Sequence, residues 1–333
     1  MTSPATTDET TASAIDTDLA DPAVGVADAP RGNWVDTWAP ESWRPYLRLA
    51  RADRPIGTWL LLFPCWWSLS LASVADERPY ASPWAMLLFA VGAFVMRGAG
   101  CAYNDYVDRE YDAKVARTRS RPIPSGQVSP GEALAFIAVL ALIGLVVLLQ
   151  FNTYTVWLAI SSLGIVLLYP FMKRFTNWPQ LVLGLAFNWG ALVGWASVTR
   201  DVHLPAILLY VGSVAWTIGY DTIYAHQDKE DDLMLGLKST ALHFGERTHA
   251  WVAGFYLVAM LAWSLAAFLA GANLITFVAL ALVGLQLAWQ VATLDIDNAG
   301  NCLRRFRSNR DAGLVLTGGL VLDMAISWAA GLS

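Results

Sequence analysis

At 333 residues, 56% hydrophobic and only 15% charged, with 16 Trp and a positive mean hydropathy, the chain has a composition that excludes a water-soluble globular protein. The formal net charge of −5 is local: Asp8, Glu9, Asp16, Asp18, Asp21 and Asp28 crowd the start of the chain, and the body is near neutral. No nucleic-acid partner is expected from such a body. Cys65, Cys101 and Cys302 lie far apart without metal-ligand spacing and read as small apolar packing residues. The four His are equally scattered and are assigned no metal.

Residues 1–33 form a Thr-, Ala- and Asp-rich tail that cannot bury a core and is expected to be disordered. The tail lacks the apolar stretch of a signal peptide, and its acids argue against a mitochondrial transit peptide. A bacterial inner membrane is the expected location. Residues 34–55 mix Trp34, Trp38, Trp43 and Tyr46 with Arg44, Arg48, Arg51 and Arg54, which suits a short helix in the headgroup layer. Residues 56–333 form one membrane domain.

Within that domain, runs of about 20 apolar residues predict spanning helices. They fall near 56–75, 83–103, 131–150, 152–170, 179–198, 205–224, 249–271, 273–293 and 312–332. The fold class is therefore all-α, a polytopic membrane protein. Pro64 and Pro170 are expected to kink or end helices, and Trp residues at span ends to anchor in the interface. With nine spans, all of the 22 Lys and Arg except Arg78, Arg97 and Arg200 fall on one side. An error of one span would scatter them. The N-terminus and the polar loops are thus expected in the cytoplasm.

Two acid-rich stretches follow predicted spans on that side. In "NDYVDREYD" (104–112), Asn104, Asp108 and Asp112 recur at i, i+4 and i+8, one face of a continuing helix. Asp105 and Glu110 fall off that face. In "GYDTIYAHQDKEDD" (219–232), Asp221, Asp228 and Asp232 recur at i, i+7 and i+11, with Tyr224 between them and Asp231 alongside. The paired patterns Asn104-Asp105 and Gln227-Asp228 hint at an internal duplication. One charge run alone is ordinarily a solvated loop. Two in helical register at membrane-span ends point to function.

Stacked carboxylates repel unless a cation sits among them. Mg²⁺ takes oxygen ligands and shares them with phosphates. Acids alone would also suit a cation-coupled transporter, which would place them at the bilayer midplane. The neighbouring bases favour a diphosphate: Lys114 and "RTRSRP" (117–122) follow the first acids, and Lys173 and Arg174 follow the fourth span. A diphosphate whose tail lies in lipid implies a lipid diphosphate that departs from an allylic carbon. The cation left behind needs a dry, aromatic pocket. Arg97 shares a helix face with Asn104 and is expected to pair with an acid of that cluster or to touch diphosphate. Asp323, inside the last span, has no evident partner in sequence.

These residues resemble the UbiA superfamily of intramembrane prenyltransferases. The likeness is carried by the two acidic motifs together with "RADRPIGTWLLLFPCWWSL" (51–69), "MRGAGCAYNDYVDREYDAKVARTRSRPIPSG" (96–126) and "LYPFMKRFTNWPQLVLGLAFNWG" (168–190). Within the superfamily these segments are most similar to the branch acting on 4-hydroxybenzoate in ubiquinone biosynthesis. A Tyr at 103, where an Ile or similar residue is common, is a small departure.

The resemblance implies nine transmembrane helices around a central cavity open to lipid, with Mg²⁺ as cofactor and a polyprenyl diphosphate as donor. The acceptor would be 4-hydroxybenzoate, alkylated ortho to its hydroxyl. A naphthoate, homogentisate, haem or chlorophyllide acceptor on the same fold is the alternative. Carried over by residue, Asn104, Asp108 and Asp112 match the first metal motif, and Asp228 and Asp232 the second. Asp105, Asp221, Tyr224 and Asp231 are expected to support these ligands. Lys173, Arg174, Lys114 and Arg97 would contact diphosphate. Arg54 and then Arg174 are the candidates for the acceptor carboxylate, with Tyr169 on the same side.

Overall fold

The computed structural model describes residues 26, 29, 30 and 32–330. The expected disordered tail, 1–33, lies almost wholly outside them. The described residues contain helices and no strand. Helices are the form lipid favours, because each satisfies its own backbone hydrogen bonds.

Nine helices among the described residues are long and apolar enough to span a bilayer. They are α1 (Ile56–Ala75), α2 (Pro83–Asp112), α3 (Pro130–Leu148), α4 (Thr153–Phe175), α5 (Pro179–Thr199), α6 (Leu204–Met234), α7 (Thr240–Leu269), α8 (Leu274–Ala292) and α9 (Ala299–Ala329). All nine coincide with the expected runs. Four extend well past them, and each extension is polar. α2 carries the first acid motif as unbroken helix, α6 carries the second, α7 starts at Thr240, and α9 begins early enough to hold Arg304, Arg305, Arg307 and Arg310. Hydropathy ends a span where lipid ends; backbone geometry does not.

Pro64 sits inside α1 without ending it. Pro170 lies in a 3₁₀ turn, Tyr169–Phe171, that interrupts α4. Few of the α3 and α4 residues are buried by protein, as lipid-facing helices require.

The chain divides into two compact units. One takes in the chain up to Pro55 together with Gly98–Leu140; the other takes in Ile56–Arg97 and everything from Ala141 onward.

In the first unit, residues 34–55 form two short helices, Trp34–Thr37 and Arg44–Leu49, and not one. Pro40 lies between them. Val35 and Leu49 turn inward, Leu49 packing with Ala102, Ile123, Val128 and Ala133, while Trp34, Trp38 and Trp43 stay exposed. Tyr46 meets Phe136 at 5.4 Å. Arg48 is buried and bonds Asp36 at 2.8 Å. Arg48 and Arg51 are thus spent on ion pairs within the unit, where the sequence reading had them in the headgroup layer.

The second unit has an aromatic core. Trp67 of α1 lies 5.4 Å from Trp216 of α6 and 5.1 Å from Trp263 of α7; all three are fully buried. These three lie mid-span, apart from the span-end tryptophans expected to anchor in the interface. Their indole N–H groups are satisfied: Trp67 by Thr317 at 3.0 Å, Trp216 by Asn309 at 2.8 Å and Trp263 by Ser213 at 3.2 Å. Asp323 of α9 also has partners. It accepts from the Asn273 N–H at 2.7 Å and the Thr276 hydroxyl at 3.0 Å, capping the start of α8.

Candidate active site

In the first unit the acids gather at the end of α2. Asp105, Asp108 and Asp112 are all buried, and Asn104 is half-buried. Asp105 is fully enclosed, not peripheral. It accepts from Arg51 at 2.7 Å and from Arg121 at 3.2 Å. Arg121 also donates to Asp112 at 2.9 Å.

Helix geometry explains why the sequence reading undervalued Asp105. At 3.6 residues per turn, Asp105, Asp108 and Asp112 span about 60° of arc, against about 80° for Asn104, Asp108 and Asp112. Both sets share a face, and Asp105 belongs to it. Glu110 does not: its side chain is 81% exposed. Arg121 returns to the helix because the loop after α2 folds back, with the Thr118 hydroxyl donating to the Asp112 carbonyl at 2.8 Å. Lys114 is exposed, its ammonium 6.0 Å from the Tyr111 ring centroid. Arg54 is mostly buried and lies 3.3 Å from Asp53.

In the second unit α6 is helical over Leu204–Ala225, makes one 3₁₀ turn at His226–Asp228 and resumes at Lys229–Met234. The sequence reading assumed continuous α-helix. Three residues at 3₁₀ pitch add about 60° of rotation between Asp221 and Asp232. Asp228 and Asp232 keep near the face of Asp221 but are no longer in line with it. Asp228, Asp231 and Asp232 are all half-buried. Tyr224 packs on Phe306, ring centroids 4.6 Å apart.

Arg97 acts on Asp221 of the second acid motif, a neighbour on α6 that periodicity along α2 does not predict. Its charge attracts Asp221, while Asp228 repels Asp221. Tyr169 and Asp221 both act on Tyr220 together with Arg97, so Tyr169, Arg97 and Asp221 are brought into one neighbourhood. The Arg97 guanidinium lies 5.4 Å from the Phe187 ring centroid, and its Nε is buried without a hydrogen-bond partner among the described residues. Gly57 makes the room: a Cβ there would sit 2.9 Å from the Arg97 Cζ. Lys173 and Arg174 form the last turn of α4, with the Arg174 guanidinium 5.4 Å from the Phe171 centroid.

Among the described residues no three carboxylate, His or Cys side chains form a ready-made metal cage. The donors at each acid motif are hard oxygens, from carboxylates and the Asn104 amide; the imidazole of the second motif, His226, is turned to the Thr248 hydroxyl at 3.0 Å. That donor set fits Mg²⁺, which needs few protein ligands and completes its shell with water and phosphate.

Sequence reasoning missed Arg51 and Arg121 as partners of the acids, and Gly57 as the space for Arg97. Arg51 and Arg121 lie 54 and 16 residues from Asp105. Only the fold reveals such pairings.

The fold and these two acid motifs define a polytopic helical membrane protein whose carboxylates and cations gather at helix ends. The chain belongs to the UbiA prenyltransferase family, whose model matches residues 61–312. It is 50% identical over 280 residues to "4-hydroxybenzoate polyprenyltransferase, mitochondrial" of Drosophila pseudoobscura pseudoobscura, covering 84% of this chain and 70% of that one. It is 47% identical over 291 residues to the protein of the same name from Arabidopsis thaliana, covering 87% and 71%. Among solved structures it resembles a UbiA homologue from Aeropyrum pernix K1, with a TM-score of 0.69 and 26% identity over 79% of this chain and 98% of that one.

Proposed function

We propose that the protein transfers a polyprenyl group from polyprenyl diphosphate to 4-hydroxybenzoate, at the ring carbon ortho to the hydroxyl, as a step of ubiquinone biosynthesis. The observation that carries this reading is the near-50% identity to relatives named for that activity, over most of the chain. The buried carboxylates of α2 and the acid-rich end of α6 support it physically.

Asn104, Asp108 and Asp112, and likewise Asp228 and Asp232, are the residues that would hold Mg²⁺. When bound, Mg²⁺ supplies positive charge to the oxygens of the departing diphosphate. Lys173 and Arg174 would bind the same oxygens, with Lys114 as an exposed further contact. Asp105, paired to Arg51 and Arg121, holds the α2 acids in place. Asp231 and Tyr224 would support Asp228 and Asp232.

Breaking the allylic C–O bond leaves a carbocation on the prenyl group and the electron pair on diphosphate. The electron-rich phenol ring attacks the cation and then releases a proton from the alkylated carbon. Arg54 or Arg174 would hold the acceptor carboxylate, with Tyr169 beside it. Arg97, surrounded by Phe187, Asp221 and Tyr220, would stabilise negative charge in the same region. The central lipid-open cavity belongs to this proposal.

The protein is a multi-pass membrane protein. We infer a bacterial inner membrane with the N-terminus and acid motifs cytoplasmic; the one-sided Lys and Arg support this orientation. The relatives above carry "mitochondrial" in their names. Labelling of single introduced cysteines from either side of sealed vesicles tests the orientation. Labelling at 116 from the cytoplasmic face alone fits; labelling from the opposite face does not.

A further inference from the structure

Beyond Thr222 the chain runs out along α6 through Met234 and comes back to Thr222 at Thr240. The two hydroxyls lie 2.6 Å apart, and both residues are wholly buried. Asp228 and Asp232 lie on the stretch between them. Thr240 also donates its N–H to the Gln180 side-chain oxygen of α5 at 3.0 Å, and Gln180 is buried as well. Two residues earlier, the Lys238 N–H donates to the Lys173 carbonyl at 2.8 Å, and the Lys238 ammonium to the Phe175 carbonyl at 3.3 Å. The stretch 222–240 is thus closed at its base by Thr240 and tied at its rim to the α4 end that carries Lys173 and Arg174.

The direction of the base bond follows from proton count. A hydroxyl has one proton. Thr222 donates its own to the Ile218 carbonyl at 2.6 Å. Thr240 is therefore the donor and Thr222 the acceptor.

Closing a segment of this length costs conformational entropy that a solvated acidic loop has no reason to spend. The return is pre-organisation: ligands held in place bind without first being ordered. We propose that Thr222, Thr240 and Gln180 form a positioning knot. It holds Asp228 and Asp232 at a set distance from Lys173 and Arg174, so that carboxylates and cations engage one diphosphate together. This rests on the reading of those four residues as the metal–diphosphate ligands.

The test uses the full-length purified protein with inorganic diphosphate and Mg²⁺ as the calorimetric probe. Apparent KM values for prenyl diphosphate and for 4-hydroxybenzoate are measured alongside. Thr222→Val leaves the buried Thr240 donor without its acceptor, so diphosphate binding weakens about tenfold. Thr240→Val removes only the donor and weakens binding less. Thr240→Ser restores wild-type binding, and KM for 4-hydroxybenzoate stays unchanged throughout. Should Thr222→Val fail to insert, Gln180→Leu carries the same expectation.

Thr222→Val and Gln180→Leu binding as tightly as wild type, while Asp228→Ala does not bind, would overturn the knot and leave the site intact. An equal rise in both KM values would also overturn it, as general damage. Asp228→Ala binding as tightly as wild type would overturn the reading of the site, and the knot with it.

Discussion

Arg121 reaches back nine residues to hold Asp112 at 2.9 Å, and the same nitrogen holds Asp105 at 3.2 Å. The two carboxylates lie seven residues apart on one face of α2, where they would otherwise repel. One guanidinium, itself mostly buried, offsets the repulsion between them at the end of a membrane helix.

Arg121→Met should therefore cost about 3 kcal/mol of stability, since it leaves Asp112 without this partner while Asp105 retains Arg51. Arg121→Lys should recover part of that, because an ammonium cannot reproduce the fork of a guanidinium. Thermal unfolding in detergent ranks the three proteins. Equal midpoints for Arg121→Met and wild type would show that the pairing contributes nothing.

Asp108→Ala and Asp228→Ala should each abolish Mg²⁺-dependent turnover while the protein still inserts into the membrane. Asn104 and Asp112 should tolerate substitution no better. Turnover is checked on purified protein at matched amounts. Wild-type rates in Asp108→Ala would remove the first acid motif from the site.

Gly57→Ala should move Arg97, because the new methyl group lies within van der Waals contact of its guanidinium. A loss of at least about tenfold in kcat/KM is expected, near 1.4 kcal/mol in transition-state stabilisation. Gly254→Ala is the control, since a Cβ there meets nothing within 4 Å. If the two variants behave alike, Arg97 does not depend on the space at Gly57.

Arg54→Ala should raise KM for 4-hydroxybenzoate about tenfold or more and leave KM for the prenyl diphosphate near wild type. It also leaves buried Asp53 beside no guanidinium at that position. Expression level is therefore recorded as well. An unchanged acceptor KM assigns the carboxylate to Arg174 instead.

The spans were legible because hydropathy over about 20 residues reports lipid contact directly. The positions of α1 and α5 were read within a residue of the structure. The polar extensions of α2, α6 and α9 were not delimited by the same signal, since a helix continues wherever its backbone bonds do. Asn104, Asp108 and Asp112 were legible as a helix face. Asp105 was misjudged because a strict four-residue repeat hides the closer i, i+3, i+7 grouping. The 3₁₀ turn at His226–Asp228 left no mark in the residue pattern. The link between Arg97 and Asp221 left no mark in the sequence, because helix periodicity reports neighbours on its own helix and not those on α6. The knot at Thr240 joins residues 18 and 60 positions apart, and ordinary Thr and Gln carry no signal of such a role.

The central claim is prenyl transfer to 4-hydroxybenzoate. Purified protein in lipid, given Mg²⁺, a polyprenyl diphosphate and a panel of aromatic acids, tests it by product mass. The predicted result is a single product, 4-hydroxybenzoate plus the prenyl group less one hydrogen, which disappears on chelation of the metal and in Asp228→Ala. Prenylation of a naphthoate or homogentisate in preference to 4-hydroxybenzoate, or no product from any acceptor, would contradict it.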